Sequence, residues 1–501
     1  MPFAFRSVLT AKLSSQTLLS EGTRTASADI KAHPDWRHDG SRGERRVVAA
    51  RTTRPTSQRR AIAHGRQLRA GGPGSAHGGS SASSDPPGVE SIPLVHGRSF
   101  DGDRYTLLGA WQSGLRHKGL EVDREVLKPQ AVLRRAHLEP DELMFDRMLL
   151  ELLNIEALAD DPRVKIDTDV GEGGWPQRMT LHAERTVHLE GRLGSDTIRL
   201  ISAPNHSGGG QRSTLDVHVY FEVVPDEPAS WERLLEEPAG ALSDLTTLAL
   251  THPATIRRVR LHSIAGTRGG DRVWVDLLLP FYKPRAAGAP EGWLASFHKL
   301  FSAEDAPDEL IPRWHAIRQK YGGVLPLTFA PSYAPFIYNE HRFTSITQAA
   351  EALHDQMHGS RDLATEDHSA RVDAVLAAEL PDELAAWVEG VLRPANSLPF
   401  RRKIERLLAE CPPVAERIDA SILANEITAT RNPLSHGSLR RTGMLTNADR
   451  YWASDIIRFT VSWYLLVELG IPPDEATERV GQHLDFQHAM ELQLDRQGLA
   501  D

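Results

Sequence analysis

The sequence predicts an α+β protein of more than one domain, in which a β-rich N-terminal region precedes an all-helical C-terminal region. Between about residues 92 and 285, short runs of Val, Ile, Leu, Thr and Tyr are separated by Gly, Asn, Ser or Pro, as half-buried strands are. After about residue 290, apolar residues recur at spacings of three and four, which is typical of amphipathic helices. A chain of 501 residues is also too long for one hydrophobic core.

Residues 1–91 differ in composition from the remainder of the chain. They are rich in Arg, Ser, Gly and Ala and approach their end with GGPGSAHGGSSASSDPPG. Such a segment buries too little apolar surface to offset the entropy lost on ordering, so it is predicted to be disordered. Two alternatives stay open: the first 30 residues also resemble an organelle transit peptide, or the true start codon lies further downstream.

Eight runs in the β-rich region are predicted to be strands, and AGTRGGD between the last two is a hairpin signal. They are IPLVHG, RYTLLGAW, RMTLHA, TVHLEGRL, DTIRLISA, LDVHVYFEVV, IRRVRLHSI and RVWVDLLLPFY. Two segments between them have helical spacing, namely DELMFDRMLLELLNIEAL and SWERLLEEPAGALSDLTTLAL. The region is therefore predicted to be a β-rich domain with inserted helices.

The C-terminal region contains a series of predicted helices. They are FTSITQAAEALHDQMH, RVDAVLAAEL, PDELAAWVEGVL, FRRKIERLLAEC and VAERIDASILANEITATR. A last apolar helix is predicted to begin near Asn447 and Tyr451 and to stop at Gly470, because Pro472 and Pro473 follow. Short connections between successive helices favour an antiparallel bundle.

The composition excludes several classes of protein. The formal net charge is −9, and residues 1–90 hold 14 Lys and Arg against 7 Asp and Glu, which leaves about −16 on the remainder. A protein that coats nucleic acid non-specifically has the opposite balance, so any RNA contact is expected at a local basic site. The single cysteine excludes an intrachain disulfide and a Cys-rich zinc module. Because no run of about 18 apolar residues occurs, we expect a cytoplasmic protein without a membrane partner.

The segment 431–436, Arg-Asn-Pro-Leu-Ser-His, contains the residues most suited to chemistry. Its Arg-x4-His spacing is weak by itself, because Arg59/His64 and Arg257/His262 have the same spacing. The context is more specific: apolar positions on the preceding helix place Arg431 near its buried face. Pro433 is predicted to break the helix and return His436 toward Arg431.

Arg-Asn-x-x-x-His-Gly at a helix end, followed by a loop and a final apolar helix, resembles the HEPN ribonuclease signature. Upstream, FIYNEHRFTSITQAAEALHDQMHGS resembles the first helix of the ApeA-like branch of that family. GRSFDGDRYTLLGAW and LSDLTTLALTHPATIRRVRLHS resemble the N-terminal domain that accompanies it. The expected organisation is a disordered segment 1–91, an ApeA-like sensor or regulatory domain 92–325, a HEPN bundle 326–482 and a C-terminal tail 483–501.

The resemblance implies a bacterial antiphage protein of the abortive-infection type, a toxin that cleaves cellular RNA without a metal or other cofactor. Arg431 would stabilise the phosphoryl oxygens, His436 would transfer the proton, and Asn432 would orient His436 or the phosphate. Arg440 and Arg441 are candidate RNA contacts. The expected partners are an RNA substrate, a phage-derived trigger at the N-terminal domain and a second copy in a homodimer or higher homo-oligomer.

Other interpretations remain open from the sequence. One alternative is that the HEPN half is a catalytically inactive module that binds RNA or a partner, with the β-rich half as a receptor. A weaker alternative is a secreted glycan-binding sandwich, which the lack of a signal peptide and of disulfides disfavours. His354 and His358 lie four residues apart with Asp355 between them, but HDxxH departs from the HExxH zinc motif, so packing or surface roles are expected.

Overall fold

The computed structural model describes residues 12–13, 27–30, 91–118, 121–160, 164–170, 176–209, 212–266, 272–280, 299–334, 336–378, 380–436 and 443–499. The chain divides into two compact units. The first contains residues 1–149, 227–233 and 258–284, and the second contains residues 150–226, 234–257 and 285–501.

The first unit is built on antiparallel strands around a small apolar core. Its strands are β1 (Lys12–Leu13), β2 (Ser27–Ile30), β3 (Ser91–Ser99), β4 (Arg104–Lys118), β5 (Glu121–Lys128), β6 (Ala131–Arg134), β7 (Phe145–Leu152, which ends in the second unit), β13 (Ile256–Gly266) and β14 (Arg272–Leu278). β4 pairs with β3, β5 and β6, and β6 pairs with β14, in each case antiparallel. β2 and β3 form a parallel pair. Val95, Leu107, Leu127 and Val132 are fully buried between them.

The second unit begins with strands and short helices. These are α1 (Ile155–Ala159), β8 (Val164–Val170), β9 (Pro176–Ala183), β10 (Thr186–Leu193), β11 (Asp196–Gly209) and β12 (Arg212–Val224), followed by α2 (Trp231–Leu234) and α3 (Gly240–Leu250). β10, β11 and β12 form an antiparallel meander, and β8 pairs with β9. The buried indole of Trp314 donates to the carbonyl of Ala241 at 2.8 Å, which joins α3 to the helical region of the same unit.

The remainder of the second unit is helical. Its helices are α4 (Leu310–Lys320), α5 (Val324–Tyr333), α6 (Asn339–His358), α7 (Thr365–Leu376), α8 (Asp382–Leu392), α9 (Phe400–Ala409), α10 (Pro412–Ala415), α11 (Ala420–His436), α12 (Asn447–Glu468), α13 (Pro473–Gly481) and α14 (Leu484–Gln497). Within the described part of the chain, each helix is too short or too polar to span a bilayer.

Helix α12 is the central element of the bundle. Fourteen of its 22 residues are buried, so other elements surround most of its circumference. Thr446 and Asp449 form a reciprocal capping box at its start, which satisfies backbone donors that the first turn leaves free. Beyond its end, Gly470 has a φ of 95°, a left-handed conformation that glycine adopts without strain. The α14 residue Phe486 contacts Phe459 of α12, with ring centroids 5.5 Å apart.

The predicted fold class is confirmed, since a strand-rich N-terminal region precedes a helical C-terminal region. All eight predicted strands are present, and β13 and β14 form the predicted antiparallel hairpin. The predicted last helix agrees with α12 and with the position of Gly470. Helix α14 was not predicted; it lies within residues 483–501, which were expected to form a C-terminal tail.

The helical interpretation of DELMFDRMLLELLNIEAL is wrong for most of that segment. Residues 145–152 form strand β7, and only the five residues of α1 are helical. Phe145, Met148, Leu150 and Leu152 are all fully buried in β7. In the sequence, Phe145, Met148, Leu149 and Leu152 have the i, i+3, i+4, i+7 spacing of a helix, and this spacing hides the alternation of the strand.

Packing in α11 can be tested with two isoleucines on the same helix. Ile427 is 0% exposed and Ile422 is 41% exposed. We expect Ile427→Ala to lower the free energy of unfolding by about 2–5 kcal/mol, because it leaves a cavity in the bundle. Ile422→Ala is the matched control and should change it by no more than about 0.5 kcal/mol. Urea unfolding followed by circular dichroism measures both, and equal midpoints for the two variants would contradict the packing described.

Asp244 on α3 is expected to make stability depend on pH. Burial raises the pKa of its carboxyl from 3.8 to about 6. Hydrogen bonds from Tyr333 and Arg318 lower this pKa, but burial has the larger effect. Because the pKa is higher in the folded chain, the folded state binds this proton more tightly than the unfolded state. The stabilisation by protonated Asp244 is complete below about pH 4 and is lost as the pH rises through 6.

The test compares wild type with Asp244→Asn, whose side chain does not ionise. Between pH 4 and pH 7 the wild type should lose about 2–2.5 kcal/mol of unfolding free energy relative to the variant. Parallel stability curves for the two proteins over this range would show that Asp244 is not perturbed by burial.

Candidate functional site

Helix α11 places Arg431 at the edge of the bundle interior. Leu423, Ala424, Ile427 and Thr430 are buried along one side of this helix. Arg431 follows Ile427 by four residues and therefore continues the same side. Its side chain is 22% exposed, so it lies at the boundary between the bundle interior and solvent.

Two side chains from other helices hold Arg431 in place. Its Nη2 donates to Oε2 of Glu351 on α6 at 3.0 Å. Its guanidinium carbon lies 4.6 Å from the ring centroid of Phe400 at the start of α9, within cation–π range. The Nε atom is buried and has no hydrogen-bond partner in the described structure. The arginine is thus fixed at one end while a donor of the same group remains unsatisfied.

The ion pair extends into an alternating chain of charges. Glu351 also lies 3.5 Å from Nζ of Lys403, and that ammonium donates to Asp355 at 2.7 Å. The Lys403 side chain is 5% exposed, so these carboxylates compensate a buried charge. We call Arg431, Glu351, Lys403 and Asp355 the ionic cluster; it ties together α6, α9 and α11.

Glu351, Phe400 and Lys403 were not predicted from the sequence as neighbours of Arg431. A signal was present in α6, where Glu351, His354, Asp355 and His358 recur at the spacing of one helix face. That spacing normally carries apolar side chains when the face is buried. His354 is fully buried, and burial lowers its pKa below the ordinary value of 6.5, against the opposing effect of Asp355.

The predicted helix break at Pro433 is wrong. Helix α11 continues through Pro433 to His436. Proline removes one helical hydrogen bond, which costs about 3 kcal/mol in an isolated helix. Here Pro433 is buried, so packing of the ring against the bundle compensates for that cost. The preceding segment also differs from the prediction, because α10 and α11 are separate helices joined by residues 416–419.

The continuous helix separates Arg431 from His436. Five residues of α-helix correspond to a rise of about 7.5 Å and a rotation of about 140°, so the two positions lie on different sides of α11. Asn432 is exposed and lies four residues before His436, which places these two positions on one side. The side chain of His436 and all of Arg440 and Arg441 lie outside the described residues.

The two other Arg-x4-His pairs differ from this one. Arg257 and His262 lie on strand β13, where an odd separation places them on opposite faces. Nδ1 of His262 lies 2.6 Å from Oδ1 of Asp146. Arg59 and His64 lie outside the described residues.

Within the described ranges, no group of three or more His, Cys, Asp or Glu side chains is arranged to hold a metal ion. His354 and His358 have ring centroids 5.0 Å apart and lie against the ionic cluster and Glu410. Cys411 is buried, and burial raises the pKa of its thiol to about 12, so it would not serve as a nucleophile at neutral pH.

Comparison with protein families agrees with this organisation. The family described as ApeA N-terminal domain 1 matches residues 74–310, and the family described as Apea-like HEPN matches residues 344–475. The second match includes Glu351, Lys403, Arg431 and His436. Neither the curated proteins nor the solved structures contain a match to this chain. The family resemblance inferred from the motifs is confirmed.

The contribution of the ionic cluster can be measured with Glu351→Gln, which removes one carboxylate from both Arg431 and Lys403. We expect a loss of about 1–3 kcal/mol in the free energy of unfolding, because hydrogen bonds to partly buried charges are lost. Glu405→Gln is the matched control, since Glu405 pairs with Arg401 on the outer side of α9. The control should lose no more than about 0.5 kcal/mol in the same urea titration. Equal losses would show that the cluster does not stabilise the bundle.

Proposed function

Because the chain is an ApeA-like HEPN protein, and therefore a HEPN protein of antiphage defence, we propose that it is a metal-independent endoribonuclease. Arg431 and His436 are the proposed catalytic residues. The observation that supports this most is the position of Arg431: its guanidinium is held by Glu351 and Phe400, and its side chain is still partly exposed.

The proposed reaction is intramolecular transesterification of RNA. The ribose 2′-oxygen attacks the adjacent phosphorus, the bond to the 5′-oxygen breaks, and the products are a 2′,3′-cyclic phosphate and a 5′-hydroxyl. Arg431 would donate to the phosphoryl oxygens and stabilise their developing charge. His436 would move the proton, because an imidazole titrates near neutral pH. Asn432, which shares a helix side with His436, would orient the imidazole or the phosphate.

A homodimer is part of this proposal. Arg431 and His436 lie on different sides of α11. The arginine and the histidine that act on one phosphate can therefore come from two different chains. Two copies of the helix facing one cleft would supply both an acid and a base to the phosphate. This arrangement also agrees with the family resemblance.

The remaining parts of the proposal concern regulation and location. The ApeA N-terminal domain would respond to a phage-derived trigger and control the HEPN domain. Arg440 and Arg441 would contribute positive charge to RNA binding in an otherwise acidic chain. The protein would act as a toxin in the bacterial cytoplasm.

A second candidate is a HEPN module that binds RNA or a partner without cleaving it. The specific observation in its favour is the bond from Arg431 to Glu351, because a carboxylate competes with phosphate for the same guanidinium. In this alternative the ionic cluster is purely structural, and neither wild type nor a His436 variant cleaves RNA.

The direct test incubates the purified full-length chain with total RNA in the presence of EDTA. Wild type should produce fragments with 2′,3′-cyclic phosphate and 5′-hydroxyl ends, and His436→Ala should lower the rate by at least about 10²-fold, since a general acid–base group is lost. End-group analysis of the fragments measures the chemistry.

His262→Ala is the matched control, because it also alters an Arg-x4-His pair but lies on β13. It should retain wild-type cleavage, with circular dichroism confirming that both variants are folded. Cleavage by His436→Ala at the wild-type rate would exclude the proposed site. RNA binding without cleavage by wild type would support the second candidate.

A further inference from the structure

A cavity of 770 Å³ lies within the second unit, apart from the Arg431 site. It is bounded by the loop after α3, the segment between α5 and α6, and the helices α6, α12 and α14. Sites for small organic ligands typically have volumes of about 300–1,000 Å³. The cavity is therefore of a size that accommodates a nucleotide-sized molecule.

Two arginines form one wall of this cavity. Arg342 donates to Oδ1 of Asp455 at 2.6 Å, and Arg458 donates to the same oxygen at 3.1 Å. The Asp455 side chain is nearly completely buried, and it compensates only one of the two positive charges. The guanidinium groups are therefore held rigidly, and donors remain on them for an anionic group such as a phosphate.

Aromatic side chains form the rim and an adjacent wall. Tyr338 is 76% exposed and Phe336 is 97% exposed, although both line the cavity. Tyr451 and Trp452 on α12 also line it, and the Tyr451 ring lies 4.2 Å from the guanidinium carbon of Arg342. Exposed aromatic rings beside a cavity are typical of surfaces that stack planar ligands.

The remaining polar groups suit the edge of a nucleobase. Asp485 and His488 on α14 and His252 in the loop after α3 line the cavity. A carboxylate accepts hydrogen bonds from ring or exocyclic N–H groups, and imidazole can donate or accept. Asp455 and Asp485 together balance the charges of Arg342 and Arg458, so the lining is nearly neutral overall. The cavity is therefore better suited to a base with an attached phosphate than to a phosphate alone.

The cavity is separate from the Arg431 site. Arg342 precedes Glu351 by nine residues on α6, which corresponds to about 14 Å along the axis and to opposite sides of the helix. The loop at residues 251–253 belongs to the segment that matches the ApeA N-terminal domain, whereas α12 belongs to the Apea-like HEPN match. A bound ligand would therefore contact both family domains at once.

We propose that this cavity is a nucleotide-binding site, in which a base stacks on Tyr338 and Tyr451 and a phosphate contacts Arg342 and Arg458. The nucleotide is either a free ribonucleotide or one residue of an RNA strand. The inference does not depend on cleavage of RNA. A nucleotide bound here would contact both the loop at residues 251–253 and the HEPN helices α6 and α12.

The test uses the full-length chain and isothermal titration calorimetry. The probes are each of the four ribonucleoside 5′-triphosphates and a mixed-sequence 2′-O-methyl oligoribonucleotide, which lacks the 2′-hydroxyl needed for cleavage. Tyr338→Ala should weaken binding by roughly 5- to 150-fold, because a stacking partner is lost from an exposed position that is not needed for folding. Trp387→Ala is the matched control; Trp387 is an exposed aromatic residue on α8 outside the cavity, and its loss should leave binding unchanged.

The outcomes separate the two sources of ligand. Tighter binding of a triphosphate supports a free nucleotide, and tighter binding of the oligoribonucleotide supports RNA. Absence of binding by all five probes at millimolar concentration, or equal affinities for Tyr338→Ala and Trp387→Ala, would overturn the inference. Because binding is measured without cleavage, either proposal can fail while the other stands.

Discussion

The burial of Lys403 is the constraint on which the arrangement around Arg431 depends. An ammonium that is 5% exposed requires nearby carboxylates, and Asp355 and Glu351 supply them from α6. Glu351 in turn binds Arg431 of α11. The register of α6, α9 and α11 is thereby fixed by charge as well as by apolar contact, because a slip of one residue would leave a buried charge without a partner.

This constraint also governs the proposed chemistry. A catalytic arginine is effective when its guanidinium is held in place before the substrate arrives, since no reorganisation is then needed. Glu351 and Phe400 provide that support for Arg431. The continuation of α11 through Pro433 places position 436 on another side of the helix, which is why a second copy enters the proposal. Support of Arg431 and separation from His436 are both consequences of the bundle.

The central position of α12 connects this region to the cavity that is proposed to bind a nucleotide. Its buried side contributes Phe459 and Tyr464 to the core, while Tyr451 and Arg458 face the cavity. The Tyr464 hydroxyl donates to the carbonyl of Leu407 on α9, the helix that also carries Lys403. A ligand in the cavity therefore contacts α6, which carries Glu351 and Asp355 of the ionic cluster, and α12, which is hydrogen-bonded to α9.

The sequence alone determined the order of the β-rich and helical regions, most strand positions, the end of α12 at Gly470 and the family, because these follow from local periodicity, turn residues and short motifs. It could not distinguish β7 from a helix, because Phe145, Met148, Leu149 and Leu152 have the i, i+3, i+4, i+7 spacing of an amphipathic helix. It also could not pair Arg431 with Glu351, because 80 residues separate them. Tertiary structure decided that contact and kept α11 helical through Pro433, since packing of a buried ring outweighs the local preference of proline.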